Sequence, residues 1–117
     1  SFSGYKVVIL GDMGELGEKA RYYHEKVGEY AYEQGVSSFY SFGVLSQSAS
    51  DVFNERGEHF SDIDSLIEAL TLKLVNENQD ISILVKGSRS ARMERVVAAI
   101  ERSPVAYFQR TRERIAC

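Results

Sequence analysis

The chain has 117 residues, 44% of them hydrophobic, and a formal net charge of −3. This length and apolar content are typical of one domain with a single hydrophobic core. A net negative charge does not attract a phosphate backbone, so we predict no nucleic-acid partner. The apolar runs are far shorter than the roughly 20 residues of a membrane-spanning helix, so we predict no membrane insertion.

The first residues and the single cysteine indicate the cellular location and the cysteine chemistry of the chain. Residues 1–4 show neither the basic nor the apolar region of a secretory signal, which favours the cytoplasm. Cys117 is the only cysteine, so we expect neither an internal disulfide nor a cysteine-rich metal site.

Short apolar segments bounded by glycine, acidic or serine residues predict the strands of a sheet. Residues 5–10 are a short, β-branched apolar run, typical of a parallel strand buried on both faces, and residues 81–85 predict a further strong, buried strand. Residues 38–42 predict a further strand, and residues 58–60 a brief one.

Apolar residues at three- and four-residue spacing predict helices between and after these strands. The first runs from about residue 18 to residue 34, and the last from residue 90 to residue 102. The expected core positions are Tyr23, Val27, Tyr30 and Ala31 in the first helix, Ala49, Val52 and Phe53 in the second, Leu66, Ile67, Leu70, Leu74 and Val75 in the third, and Met93, Val96, Val97 and Ile100 in the fourth.

The alternation of strands and helices predicts the fold class. We expect an α/β, Rossmann-like three-layer domain with a mainly parallel, doubly wound sheet and helices on both faces. Residues 1–102 form this domain, and residues 103–117 are expected to be a charged tail. Functional sites in such sheets lie at the carboxyl ends of the strands.

The segment from Lys86 to Ser90 links a predicted buried strand to a predicted helix. Gly87 allows a sharp turn, and Ser88 and Ser90 can cap or donate from the first helical turn. Lys86 and Arg89 add positive charge beside the free N–H groups, which favours a carboxylate or phosphate. The alternative is a capped helix with two solvated cations.

The loop G-D-M-G-E-L-G at residues 11–17 follows another strand, so both loops should open on one edge of the sheet. Its acidic residues do not suit a pyrophosphate, and Asp12 and Glu15 fit ribose hydroxyls or an amine better. The alternatives are a turn-stabilising role for Asp12 and a solvated charge for Glu15. The chain has neither a Walker A loop nor a nucleophile elbow.

The two histidines have no further histidine or cysteine at ligand spacing, which argues against a metal site. We expect His24 to pack or hydrogen-bond near the first loop. His59 is expected to have a surface or partly buried structural role.

Three segments together resemble a known family. V-I-L-G-D-M-G-E-L-G at residues 8–17, His24 with Val27 and Gly28, and I-L-V-K-G-S-R-S-A-R-M-E at residues 83–94 are similar to the C-terminal domain of the Mur ligases of peptidoglycan synthesis. The likeness is to the D-alanyl-D-alanine-adding branch and covers roughly residues 5–101. Each motif alone is weak, but the pair in this order is specific.

The resemblance implies a cytoplasmic enzyme that uses ATP and Mg²⁺ to activate the carboxylate of UDP-N-acetylmuramoyl-tripeptide, which the amine of D-alanyl-D-alanine then attacks. Three domains share that work in the family, and only the C-terminal one is represented here. By itself it is expected to be inactive and to bind neither ATP nor Mg²⁺. The family's first strand and helix are expected to be absent, which would leave an exposed edge that favours self-association.

The resemblance also implies roles for individual residues. Asp12 matches an acidic residue facing the ATP ribose, and Lys86, Gly87, Ser88 and Arg89 form the loop expected to meet the dipeptide. Glu15 is the expected partner of the dipeptide amine. The alternative reading is a stand-alone anion- or nucleotide-binding regulatory module of flavodoxin-like type, and a third is a purely structural domain.

Overall fold

The computed structural model describes residues 4–14, 16–53 and 57–102. The predicted tail at residues 103–117 lies outside this range. The strands are β1 (Tyr5–Gly11), β2 (Ser38–Phe42), β3 (Gly57–Phe60) and β4 (Ile81–Lys86), and the helices are α1 (Ala20–Glu33), α2 (Gln47–Phe53), α3 (Ile63–Asn76) and α4 (Glu94–Arg102). The predicted alternation of strands and helices is therefore confirmed.

The strands form one parallel sheet in the order β3-β2-β1-β4. The chain moves outward from β1 to β3 and then returns to β4 on the other side of β1, which is the doubly wound arrangement. Helices α1 and α2 pack on one face, and α3 and α4 on the other, which confirms the three-layer α/β class. No helix in the described ranges has the length and apolar content needed to cross a membrane.

The larger hydrophobic core lies between the sheet and helices α3 and α4. α3 begins at a capped N-terminus, where the Asp62 carboxylate accepts the Ser65 N–H at 2.8 Å. Its leucines then recur on one face and pack with residues of β1, β2 and α4. The buried members of this core are Val7, Ile9, Tyr40, Leu66, Leu70, Leu74, Ala91, Met93, Val96 and Ile100.

The contact face of α1 differs from the prediction. Tyr23 and Tyr30 are 42% and 65% exposed, whereas the buried positions are Ala20, His24, Gly28 and Ala31. The reason is the close packing of α1 against α2: a Cβ atom on Gly28 would lie 2.2 Å from the Ala49 carbonyl oxygen. Small residues therefore face α2, and the tyrosines point outward. Val52 and Val75, also expected in the core, are 36% and 52% exposed.

Among the described residues strand β4 lies at one edge of the sheet, and it is less buried than we predicted. None of its residues is fully buried, and Leu84 is 39% exposed. Within the described residues β4 pairs only with β1. The side chains of Ile81, Ile83 and Val85 still pack on the α3–α4 core, which accounts for the apolar run.

A chain of hydrogen bonds joins β2, α2 and β3 on the opposite side. The Ser50 hydroxyl donates to the Glu58 carbonyl at 3.2 Å, so it accepts from Ser41 at 2.6 Å. Ser41 in turn accepts from His59 Nδ1 at 2.8 Å. Burial lowers the pKa of His59, while the carboxylates of Asp12 and Asp51 oppose that shift. As predicted, His59 is partly buried and structural.

We expect Gly28→Ala to destabilise the chain by about 1–3 kcal/mol, because the added methyl group must push α1 away from a backbone carbonyl. Urea unfolding followed by circular dichroism measures the change. Glu33→Ala, an exposed substitution on the same helix, is the control and should change stability little. A stabilised Gly28→Ala variant would contradict this close packing.

We expect the chain to lose stability as the pH falls between about pH 7 and pH 5, in part through His59. The folded-state pKa of His59 is lowered, so below its ordinary value of 6.5 the unfolded chain binds more protons than the folded one. The His59 contribution is therefore present above that value and is lost as the pH falls through it. Urea unfolding at several pH values should give a shallower pH dependence for His59→Gln, and an unchanged slope would refute this role.

Candidate functional site

The two loops predicted to share one edge of the sheet are in direct contact. They leave the carboxyl ends of β1 and β4, the adjacent strands at which the chain changes direction along the sheet. The Ser88 N–H donates to the Asp12 carbonyl oxygen at 2.9 Å. A Cβ atom on Gly14 would lie 3.3 Å from Ser88 Cβ. The predicted convergence of the loops is confirmed.

Glycines are needed at this junction because two backbones and a side chain crowd together. A Cβ atom on Gly87 would lie 2.8 Å from Met93 Cγ and 3.2 Å from Gly11 Cα. One on Gly11 would lie 2.6 Å from Met93 Sδ. Gly87 does not have a positive φ, so close approach, rather than the sharp turn we predicted, explains this glycine.

The chain after Gly87 does not enter a long helix directly, in contrast to the prediction of a helix from Ser90. A 3₁₀ turn spans Arg89–Ala91, Arg92 adopts the left-handed conformation at φ 53°, and α4 begins only at Glu94. This single turn carries only a small dipole. Charge at this loop therefore comes chiefly from side chains.

The turn presents polar groups to solvent. The Ser88 hydroxyl does not cap the turn but pairs with the Ser90 hydroxyl at 2.9 Å. Within the described part of the chain, the N–H groups of Arg89 and Ser90 have no hydrogen-bond acceptor. These two donors and the exposed Arg89 side chain are available to a ligand.

Arg95 holds the turn from the α4 side, a role that the sequence did not suggest. Its guanidinium donates to the carbonyl oxygens of Ala91 and Arg92, both at 3.0 Å. The same group lies 5.8 Å from the centre of the Phe42 ring. Arg95 therefore joins the turn to the end of β2.

Asp12 binds the loop between β2 and α2. Its carboxylate accepts the Ser46 N–H at 2.7 Å and the Leu45 N–H at 3.1 Å. Gly43 has φ +110°, and a Cβ atom there would lie 2.5 Å from Asp12 Oδ1. The predicted turn-stabilising role of Asp12 is therefore present, although the turn lies on a distant part of the chain.

These contacts leave an open cleft at the carboxyl edge of the sheet, lined by Asp12, Phe42, Gly43, Ser90 and Ala91. This lining offers a carboxylate, a hydroxyl, an aromatic ring and a methyl group. The sequence analysis did not single out Phe42 or Gly43 as site residues. The available signal was that Gly43 ends a strand at the same edge as the two motif loops.

His24 supports the first loop from below and is fully buried. Its Nε2 accepts the Met13 N–H at 3.0 Å, so Nδ1 carries the hydrogen and donates to the Ala20 carbonyl at 2.6 Å. Both ring nitrogens are engaged within the protein. The prediction that His24 hydrogen-bonds near the loop is confirmed.

The other predicted site residues do not line the cleft. The side chains of Ile83 and Val85 pack on the α3–α4 core. Because successive side chains of a strand point to opposite faces, the Lys86 side chain lies on the α1 side of the sheet. Arg89 lies on the exposed turn, and Glu15 is outside the described residues. No cluster of three histidine, cysteine or acidic residues that could hold a metal ion occurs among the described residues.

Comparison with known proteins identifies the family. Residues 1–89 match the Mur ligase, glutamate ligase domain. The chain is 47% identical over 98 residues to the UDP-N-acetylmuramoyl-tripeptide–D-alanyl-D-alanine ligase of Escherichia coli, covering 84% of this chain and 21% of that protein. The enzyme of the same name from Buchnera aphidicola (Acyrthosiphon pisum) is 40% identical over 94 residues, which cover 80% of this chain and 20% of that protein.

Solved structures agree with the sequence relatives. A crystal structure of MurF from Acinetobacter baumannii superimposes with a TM-score of 0.72 at 27% identity, covering 83% of this chain and 22% of that one. The structure of MurF from Thermotoga maritima in complex with ADP superimposes with a TM-score of 0.68 at 28% identity. The match covers 87% of this chain and 23% of that one. The chain thus spans about a fifth of the length of these proteins. It belongs to the Mur ligase family and corresponds to the C-terminal domain of MurF.

Proposed function

We propose that the chain is the substrate-closing domain of an ATP-dependent ligase that adds D-alanyl-D-alanine to UDP-N-acetylmuramoyl-tripeptide in the cytoplasm. The names of the sequence relatives support this reaction. Because the chain spans about a fifth of their length, we propose that it does not catalyse the reaction alone. Membership of the Mur ligase family argues against an unrelated flavodoxin-like regulatory module.

The observation that carries the proposal is the contact between the two family motif loops beside the cleft. D-alanyl-D-alanine has two methyl groups, one ammonium and one carboxylate. The Phe42 ring and the Ala91 methyl group suit the methyl groups, and the Asp12 carboxylate suits the ammonium. The polarity of this lining supports the dipeptide as the ligand.

Arg89 is our candidate for the dipeptide carboxylate, because a guanidinium can donate two parallel hydrogen bonds to it. The N–H groups of Arg89 and Ser90 lie on the same turn and add donors. Lys86 lies at the end of β4 on the other side of the sheet, so it suits a negatively charged group that approaches from the α1 side. Gly87 and Ser88 hold this loop against the first one.

The acidic loop has two proposed ligands. Asp12 accepts two N–H groups and still lines the cleft, so its oxygens retain lone pairs for a ribose hydroxyl or for the dipeptide ammonium. Glu15 remains the proposed partner of the ammonium.

Apart from the proposed ribose contact of Asp12, the sequence offers no Walker A loop for the ATP phosphates. No metal-ligand cluster occurs within the described ranges. We therefore propose that other parts of a longer enzyme bind both, with this domain closing over the nucleotide. The chain by itself is expected to hydrolyse no ATP.

We expect D-alanyl-D-alanine to bind the chain weakly and to shift the amide NMR signals of residues 42–46 and 87–91. Arg89→Gln should lower the affinity about tenfold or more, because a charged hydrogen-bonded pair is lost. Arg21→Gln, an exposed change on α1, is the matched control and should have no effect.

The amide of the dipeptide, D-alanyl-D-alaninamide, tests which ligand group Arg89 meets. It should bind the unaltered chain as weakly as the acid binds Arg89→Gln, and Arg89→Gln should not weaken it further. Equal losses for acid and amide, or shifts confined to other residues, would refute the carboxylate role.

We expect Asp12→Ala to lower the free energy of unfolding by about 1–3 kcal/mol, because the N–H groups of Leu45 and Ser46 lose their acceptor. Asp12→Asn retains one acceptor oxygen and should cost less. Urea unfolding measures both variants. If both retained full stability, the hydrogen bonds to the loop would not hold the site together.

A further inference from the structure

The chain changes direction at Arg92, between the 3₁₀ turn and α4. Arg92 has φ 53° and ψ 48°, and among the described residues it is the one residue other than glycine with a positive φ. This left-handed conformation is unfavourable for a residue that carries a Cβ atom. Such a residue keeps the conformation where the surrounding structure holds it. Because the sequence pattern predicts a continuous helix from Ser90, the structure has a competing conformation to exclude.

Arg95 supplies the contacts that hold Arg92. In a continuous α-helix the Arg95 N–H would donate to the Ala91 carbonyl oxygen. Here that N–H donates to the Arg92 carbonyl oxygen at 3.2 Å, and the Arg95 side chain donates to the Ala91 oxygen at 3.0 Å in its place. The guanidinium also donates to the Arg92 oxygen at 3.0 Å. It therefore binds the peptide groups on both sides of Arg92 and stabilises the break in the helix.

The same guanidinium contacts the lining of the cleft. Its central carbon lies 5.8 Å from the centre of the Phe42 ring, which is within the range of a cation–π contact. Ser90 and Ala91 line the cleft together with Phe42, and they directly precede Arg92 in the chain. Because α4 is anchored in the α3–α4 core, a right-handed Arg92 would change the direction in which Ser90 and Ala91 point.

We propose that Arg95 is a positioning residue for the dipeptide: by holding Arg92 in the left-handed conformation, it keeps Ser90 and Ala91 in the cleft beside the Phe42 ring. This role rests on the proposed function, which supplies the ligand. Arg95 is not among the residues that line the cleft, so it acts through the residues that it binds. A guanidinium suits this role, because its planar group donates to two acceptors at once.

The affinity of the whole chain for D-alanyl-D-alanine, measured by NMR titration, tests the proposal. Arg95→Gln should weaken binding about threefold to tenfold, because hydrogen bonds that fix the turn are lost. Arg95→Lys keeps the charge without the planar group and should weaken binding nearly as much. Arg102→Gln removes an exposed charge from the same helix, so it is the matched control and should bind like the unaltered chain. Full affinity in Arg95→Lys would reduce Arg95 to its charge and overturn the proposal.

Arg92→Gly separates the conformational role of Arg95 from its charge. Glycine adopts a positive φ without steric cost, so the turn then depends less on the Arg95 side chain. In the Arg92→Gly background, Arg95→Gln should therefore weaken dipeptide binding by only about twofold or less. A loss as large as in the unaltered background would overturn the proposal.

A measurement without ligand separates this role from the proposed function. A residue with a positive φ gives a strong NOE between its own amide and Hα hydrogens. This NOE at Arg92 should be strong in the unaltered chain and in Arg102→Gln, and it should be weak in Arg95→Gln. If it stayed strong in Arg95→Gln, Arg95 would not hold the turn, and the proposal would be overturned whether or not the dipeptide binds.

The two readouts fail separately. If the unaltered chain bound no dipeptide, the proposed function would fail at this cleft, together with the link between Arg95 and the dipeptide. The NOE would still decide whether Arg95 holds Arg92, since it requires no ligand. A weak NOE together with weak dipeptide binding in Arg95→Gln supports the proposal in full.

Discussion

The close approach of the β1 and β4 backbones at their carboxyl ends is the constraint on which the rest of the site depends. Gly11 and Gly87 leave no room for side chains there, and Met93 fills the space above them. This approach allows the Ser88 N–H to reach the Asp12 carbonyl oxygen. A bulkier residue at either glycine would separate the two loops that carry the family motifs.

Asp12 extends this junction to a third loop. Its carbonyl oxygen binds the turn after β4, while its carboxylate binds the N–H groups of Leu45 and Ser46. One residue therefore fixes the positions of both walls of the cleft. Arg95 adds a second connection between the same walls, through Ala91 and the Phe42 ring. The cleft is thus preorganised, as a site for a small, charged dipeptide requires.

Strand β4 positions the second motif loop. It pairs with β1 in parallel register, and its residues Ile81, Ile83 and Val85 pack on the α3–α4 core. Its carboxyl end then supplies Lys86 and Gly87 to the loop.

The sequence by itself determined the order of strands and helices, the convergence of the two motif loops and the supporting role of His24, because apolar periodicity and glycine positions are local signals. Tertiary structure alone decided how far β4 is buried within the described sheet, since its apolar run resembles that of a central strand. It also decided the buried face of α1, which the fit of Gly28 against α2 sets. The bond from Asp12 to Leu45 joins residues 33 positions apart, a distance that no local pattern spans.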